Sequence, residues 1–382
     1  MKKNDKYHAD GVNIELGDDF SSFCAKICRG SYNNSLFVQV TDLSKGNFRG
    51  PRGFTLKNLP SGCIQTLAAD GVGTKVGIIV ASGKLETAAS NVIAMTAMDI
   101  TRYGGLPLVF TNIFDVSSLG EPGSETHALC IEAMRGLATI AEENGYVVLG
   151  GETAELGAYV GSEDIKAKLK FNWGGMMFGV YHPQKMIRGD TLAPGQVVIA
   201  LRDDFRSNGI SSVRKALAIR YGEKWYKNPK ALPDIIAASS PSVQYDRFLN
   251  YLHGWMNEND RLLPLIKMHL IVHLSGGAFE SKLGKDMLAP QNLSAYFGDL
   301  FNPPKIMRDC AKWRGLSDRE CYKTWNGGQG ALVVINPEDV GLFMRNARRF
   351  GIEARVAGKI SKKMKGYTVK IKSKFNGSIV KY

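Results

Sequence analysis

The stretch Gly62-Cys-Ile-Gln-Thr-Leu-Ala-Ala-Asp-Gly-Val-Gly-Thr-Lys75 decides how the rest of the chain is read. Residues 62–68 form an apolar run bounded by turn residues, the pattern of a buried strand. The run leads into Ala69-Asp-Gly-Val-Gly-Thr-Lys75, where Gly71 and Gly73 can take positive φ and let a ligand approach the backbone. Asp70 can hold a cation on one side, and Lys75 and Thr74 can meet a phosphate on the other. A carboxylate, exposed amides and an ammonium within six residues suit a metal–nucleotide complex. The same residues also suit a solvated strand-to-loop turn, because glycine-rich turns are common. The neighbouring segments have to decide between the two.

Downstream, Val76 to Val80 continues apolar, and Ala88 to Tyr103 reads as a buried helix ended by Gly104-Gly105. Asp99 lies near the end of that helix, and carboxylates are rarely buried without a partner or a metal. Residues 107–114 read as a strand, residues 125–144 as an amphipathic helix ended by Gly145, and residues 146–149 as a second strand. That strand enters Gly150-Gly-Glu-Thr-Ala-Glu155, a further glycine-plus-carboxylate strand end, and residues 173–181 form a third strand. Asp70, Asp99 and Glu152 therefore come from three separate elements. Such a set matches a magnesium site on a nucleotide, since Mg²⁺ takes a few carboxylates together with phosphate oxygens. There is no Walker Gly-Lys-Ser/Thr signature and no kinase signature set, so a nucleotide here would be held in another way.

Upstream, residues 7–17 form a polar arm, and Asp18-Asp19 offers a helix start ahead of Phe20, Phe23, Cys24 and Ile27. Residues 44–58 read as a basic, glycine-rich loop. Its Lys45, Arg49 and Arg52 either close over phosphates or form a solvated connection.

In the second half, residues 192–201 make a turn and a strand, followed by Arg206-Ser-Asn-Gly209 and a helix over 210–219. Ser207 or Asn208 can cap that helix, whose N-terminus with Arg206 beside it can hold an anion. Residues 222–262 look like a helical excursion. Residues 268–273 then form a strand ending at His273, followed by a second glycine turn at Gly276-Gly277. A lone histidine is more often structural than catalytic, and its place beside a glycine turn leaves both readings open. A third glycine turn enters a strand over 325–335, followed by a helix over 337–350 and a strand over 354–360. The fold class is α+β, with two domains, 1–185 and 186–382.

Composition narrows the class. The 382 residues are 44% apolar and 22% charged, as in an ordinary globular protein. No apolar run approaches the ~20 residues that span a bilayer, the N-terminus lacks the apolar core of a signal peptide, and no membrane association is expected. Six scattered cysteines without a Cys-x-x-Cys pair point to reduced thiols in a cytoplasm. The net charge of +13 is concentrated, since residues 361–382 carry seven lysines and no acid. Their alternation around Asn376-Gly377 reads as a hairpin with lysines on a solvated edge, and no nucleic-acid partner is expected.

These motifs, taken in order, resemble the aminoimidazole ribonucleotide synthetase (phosphoribosylformylglycinamidine cyclo-ligase) family over almost the whole chain. The resemblance rests on Tyr-x-x-x-Gly-Val-x-Ile (7–14), Asp-Gly-Val-Gly-Thr-Lys (70–75), Asp99 with Gly-x-Pro (105–107) and Gly-Gly-Glu-Thr-Ala-Glu (150–155). It continues through Ser-Asn-Gly (207–209) with Ser212-Val-Arg-Lys215, His273 with Ser-Gly-Gly, and Thr324-x-Asn-x-Gly. The resemblance implies a homodimer whose N-terminal strands form a barrel across the interface, using ATP and Mg²⁺. It also implies ATP-dependent ring closure of formylglycinamidine ribonucleotide to aminoimidazole ribonucleotide, through phosphorylation of the formyl oxygen. On it, Asp70, Asp99 and Glu152 hold the metal, and Lys75 touches phosphate. The glycine turns at Gly71, Gly73, Gly150, Gly151, Gly276 and Gly277, with Ser207-Asn208-Gly209, receive nucleotide or substrate. His273 is a polar contact or proton carrier. The chain departs from the family's usual residues at Arg206 (His), at Asn91, Asn112 and Asn172 (Asp), and at Met98 (Asn). Another ATP-using member of the superfamily, or a non-catalytic nucleotide-binding paralogue, would share most of these motifs.

Overall fold

The computed structural model describes residues 14–44 and 50–382; the arm at 7–13 and the basic residues Lys45 and Arg49 lie outside the described residues. The first helix, α1 (Ile14–Ser31), begins before the expected Asp18 start and buries Phe20 and Cys28. Two short strands follow, β1 (Val38–Asp42) and β2 (Arg52–Leu56), paired antiparallel. The segment read as a loop over 44–58 thus contains a strand. Its alternating Phe54 and Leu56 are masked in sequence by the surrounding glycines and basic residues, and Phe54 stacks edge-on against Phe178 at 5.0 Å.

The next strand, β3 (Ile64–Gly71), carries Asp70 inside its last residues and gives way to a tight turn at Gly73–Lys75, where Gly73 has φ 63°. The apolar run that follows is a helix, α2 (Val76–Ser82), and after it come α3 (Thr87–Thr101), β4 (Leu106–Val116) and α4 (Glu125–Asn144). Ser124 caps α4 through the His127 N–H, and Gly145 ends it in the left-handed region with φ 75°. Strand β5 (Val147–Glu155) runs unbroken through Gly150 and Gly151, and β6 (Phe171–Tyr181) completes a sheet of order β3-β6-β4-β5. Only β4 and β5 are parallel. The sheet is open, and among the described residues it closes into no barrel within the chain.

Register decides which side chains can meet. Asp70 lies opposite Gly175, Gly175 opposite Asn112, and Asn112 opposite Gly151, so these four share one face. A Cβ at Gly175 would run into the Phe110 ring and Val92 of α3, which identifies this face as the helix-covered one. The adjacent row, Gly71, Gly174, Ile113 and Glu152, points to the uncovered face.

The second sheet uses residues 197–381. It contains β7 (Val197–Arg202), β8 (Leu270–His273), β9 (Leu293–Phe297), β10 (Gln329–Ile335), β11 (Ala354–Lys362), β12 (Val369–Lys372) and β13 (Ile379–Lys381), ordered β13-β12-β9-β11-β7-β10-β8. Between them lie α5 (Ile210–Tyr221), α6 (Leu232–Ala238), α7 (Asp246–Leu252), a π-helix over Phe279–Leu288, α8 (Lys305–Arg314), α9 (Asp318–Thr324) and α10 (Val340–Arg349). The tail is an edge hairpin, with Val369 and Ile371 buried and Lys372 and Lys381 exposed. The two sheets do not keep separate cores. Ile78 of α2 packs in one cluster with Ile210, Val213 and Trp325, and Met98 of α3 in another with Ile199 and Phe248.

No helix of the described residues is long and apolar enough to cross a membrane.

The close crossing of α4 over the start of α3 depends on Gly136, because a Cβ there would collide with the Glu86 backbone carbonyl. Gly136→Ala is expected to destabilise the protein by about 2 kcal/mol, read as a lower midpoint in urea unfolding with an unchanged slope.

Candidate functional site

Asp70 leaves β3 as an exposed residue whose Oδ1 accepts the Gly71 N–H at 2.7 Å. Asp99, in the last turn of α3, approaches it from the covering helix layer. Partial burial raises the Asp70 pKa, the Gly71 N–H opposes the rise, and the Asp99 charge adds to it, so the two carboxylates oppose each other. Burial also acts upward on Asp99, but the His273 imidazole, Arg102 and Lys282 outweigh it and hold Asp99 below the usual carboxylate range. Asp99 Oδ1 lies 3.4 Å from Arg102 Nε and 4.0 Å from His273 Nδ1.

His273 ends β8, the edge strand of the second sheet, so the site forms where the two sheets' helix and strand ends meet. Burial, reinforced by the Arg206 guanidinium, pushes the His273 pKa down to about 4 and keeps the ring neutral. Its Nε2 is buried without a hydrogen-bond partner. Ser207 Oγ and Asn208 Oδ1 are likewise buried and unpartnered. Unlike the sequence expectation, neither caps α5. Gly209, with φ 74°, occupies the cap position, and no side chain makes a capping hydrogen bond. The 206–208 loop faces Ser275 and Gly276 across a narrow gap that also touches Trp325 and Asn326. A Cβ at Gly276 would meet open space, whereas Gly277, with φ 72°, spends its N–H on the Lys323 carbonyl at 2.8 Å. The unpartnered Asn208 Oδ1 on this gap is an acceptor that a polar ligand would satisfy.

Several expected site residues stand elsewhere. Lys75 is fully buried and turned away from the carboxylates. Its ammonium donates to Asn91 Oδ1 at 2.9 Å, to the Ser240 carbonyl at 2.7 Å and to the Phe205 carbonyl. Burial pushes its pKa down to about 7, while Asp203 opposes the fall. Three acceptors require the three hydrogens of the charged form. A lysine so committed has no donor left for a phosphate.

Glu152 does not join Asp70 and Asp99. It is three strands across the sheet, roughly 14 Å, and its row points to the opposite face. Among the described residues no group of three or more His, Cys, Asp or Glu is arranged to hold a metal ion. The carboxylates that stay near one another are Asp70 and Asp99, and Mg²⁺ on a nucleotide can take as few as one or two carboxylates, with phosphate oxygens and water completing its octahedron. Gly150, Gly151 and Glu152 instead line a separate cavity of about 250 Å³ against α1 and Arg52. Thr74 lines another, of about 560 Å³, with Arg214, Trp225 and Tyr226.

Arg206 is no free anion site either. It pairs with Asp203 at 2.9 Å, both side chains buried, and reaches the Ala94 carbonyl at 3.3 Å. The amides at the departed positions also have structural work: Asn91 receives Lys75 and the Ser242 hydroxyl, Asn112 accepts the Trp173 indole N–H at 3.0 Å, and Asn172 donates to Asp115 at 3.4 Å. Arg102 and Lys282 were invisible as site residues. Lys282 lies on a π-helix, which no 3.6-residue periodicity reveals.

Residues 56–179 match the domain family described as AIR synthase related protein, N-terminal domain. The chain is 27% identical over 369 residues to a phosphoribosylformylglycinamidine cyclo-ligase of Caldicellulosiruptor bescii, covering 95% of this chain and 99% of that one. It is 27% identical over 360 residues to the protein of the same name from Thermoanaerobacter sp., covering 93% and 97%. Among solved structures, it resembles E. coli HypE with TM-score 0.52 and 13% identity over 84% of this chain and 85% of that one. T. maritima PurL complexed with FGAR gives TM-score 0.50 and 13% identity over 85% of this chain, which spans 46% of that larger protein. The structural likenesses establish the shared fold.

Because Lys75 joins the two halves, Lys75→Met should leave the Phe205 and Ser240 carbonyls unpaired and Asn91 Oδ1 with the Ser242 hydroxyl as its remaining donor. A loss of about 3 kcal/mol or more is expected, measured as reduced unfolding free energy in denaturant.

Proposed function

We propose that this relative of the phosphoribosylformylglycinamidine cyclo-ligases is itself an ATP-dependent cyclo-ligase. It would close formylglycinamidine ribonucleotide to aminoimidazole ribonucleotide in purine biosynthesis. The observation that carries the reading is the Asp70–Asp99 pair, mutually repelling carboxylates from a strand end and a helix end, with His273 and Lys282 of the other half beside them.

In the reaction the formyl oxygen of the substrate attacks the γ-phosphorus of ATP and ADP departs. The amidine nitrogen then attacks the activated carbon, and the ring closes with loss of inorganic phosphate and a proton. Most of the demand on the protein is positioning and charge neutralisation. Asp70 and Asp99 would hold Mg²⁺, which neutralises the phosphate oxygens during transfer. Asp99 lies 4.0 Å from Nδ1 of His273, and the unpartnered Nε2 would accept an N–H from the substrate. Ser207, Asn208, Gly209 and Gly276 would receive polar or anionic parts of substrate and nucleotide. Lys75 belongs to the frame that aligns these groups.

The reading includes two domains, 1–185 and 186–382, and a homodimer built on the uncovered face of the first sheet. Support for the dimer comes from Leu67, Ile113 and Met176, which project from that face with 62%, 54% and 39% of their surface exposed. A second copy's sheet placed there would bury them and close a barrel, with Glu152 on the same side. The same reading places the enzyme in the cytoplasm, where thiols such as Cys28, Cys130, Cys310 and Cys321 stay reduced.

The direct test incubates the purified protein with ATP, Mg²⁺ and formylglycinamidine ribonucleotide and quantifies aminoimidazole ribonucleotide. Product well above background is expected, with Asp70→Asn and Asp99→Asn each lowering kcat by roughly 100-fold or more. ATP binding without product would overturn the cyclo-ligase reading in favour of a non-catalytic nucleotide binder.

A further inference from the structure

The burial of Lys75 leaves the nucleotide's phosphates without the lysine that the strand-end pattern offers. Two other cations border the carboxylate pair. Arg102 is engaged, with Nε on Asp99 at 3.4 Å and its guanidinium stacked 4.6 Å from the Tyr103 ring centre. Lys282 is different. Its Nζ donates to Ser275 Oγ at 2.5 Å, and among the described residues it has no carboxylate within ion-pair distance. An ammonium has three donors, so two remain to be used.

Its placement has a cause in the backbone. The turn at Gly276-Gly277 is followed at once by the π-helix Phe279–Leu288, in which Lys282 reaches back seven residues to Ser275. The side chain is half-buried and lines one small cavity with Arg102 and His273. Its positive charge acts on both Asp70 and Asp99. Lys282, on the π-helix of the other half of the chain, therefore lies close enough to both carboxylates for its charge to act on them. As long as no cation is bound, its charge relieves the repulsion between Asp70 and Asp99. A divalent cation on the carboxylates would repel the ammonium and free it for the anionic groups the cation brings in.

Resting on the ATP-dependent reading above, we propose that Lys282 binds the terminal phosphates of the nucleoside triphosphate, with Ser275 positioning its ammonium. It takes the role that Lys75 holds in the sequence pattern. A lysine serves such a site as a mobile point charge rather than a bidentate fork.

The test is calorimetric titration of the full-length protein with Mg²⁺ and the imido analogue of ATP, and separately with AMP, at fixed ionic strength. Lys282→Met should weaken binding of the ATP analogue by roughly tenfold or more, leave AMP affinity within twofold, and leave the unfolding midpoint near that of the unmodified protein. Lys282→Arg should recover most of the lost affinity, which a merely structural role in the π-helix would not predict. If the unmodified protein binds the analogue and Lys282→Met binds it equally well, the assignment of Lys282 is wrong while the cyclo-ligase reading stands. If the unmodified protein does not bind the analogue, both fall together.

Discussion

The buried ammonium of Lys75 is the interaction on which the rest of the arrangement depends. It begins at the end of the strand that carries Asp70 and is received by Asn91 from its own half and by the carbonyls of Phe205 and Ser240 from the other. The Arg206–Asp203 pair lies beside it, also buried, and Arg206 reaches the Ala94 carbonyl of α3. Removing charges of this kind from water is expensive unless every donor and acceptor is matched. The two halves therefore have one relative placement that satisfies the set. That placement brings Asp99, on the helix of one half, to His273 and Lys282 of the other. Arg206 then acts a second time, because its fixed charge helps keep the buried His273 ring neutral.

Strand register is the second constraint. A strand end with two glycines and an acid reads the same way whichever face the acid occupies. The row Asp70–Gly175–Asn112–Gly151 gives the helix-covered face to Asp70 and the uncovered face to Glu152. One residue of register separates a carboxylate beside Asp99 from a side chain on the opposite surface. Asp70 and Asp99 are the carboxylates left near one another on that side.

Much of this architecture is legible in the sequence where periodicity is strong. The helix over 125–144 and the helix ending at Thr101 follow from their apolar spacing and their glycine stops, and the tail hairpin follows from alternation around Asn376-Gly377. The strand over 52–56 is hidden by glycine and arginine, and β9, α8 and α9 carry patterns too short or too polar to stand out. At the site, Asp70, Asp99 and His273 are recognisable as residues of the right chemistry, and the structure brings them together. The sequence could not reveal that Lys75 points inward, because its acceptors come from residues 91, 205 and 240, far apart in the chain. Lys282 was missed for a different reason, since a π-helix has a period that sequence patterns do not display.

Where the divalent cation binds is the decisive question. Crystals of the protein soaked with Mn²⁺ and the imido analogue of ATP would show the metal directly by its anomalous scattering. One manganese peak is expected beside Asp70, Asp99 and phosphate oxygens, on the helix-covered side of the sheet end. A peak coordinated by Glu152 on the opposite face, with Asp70 and Asp99 left unliganded, would contradict it.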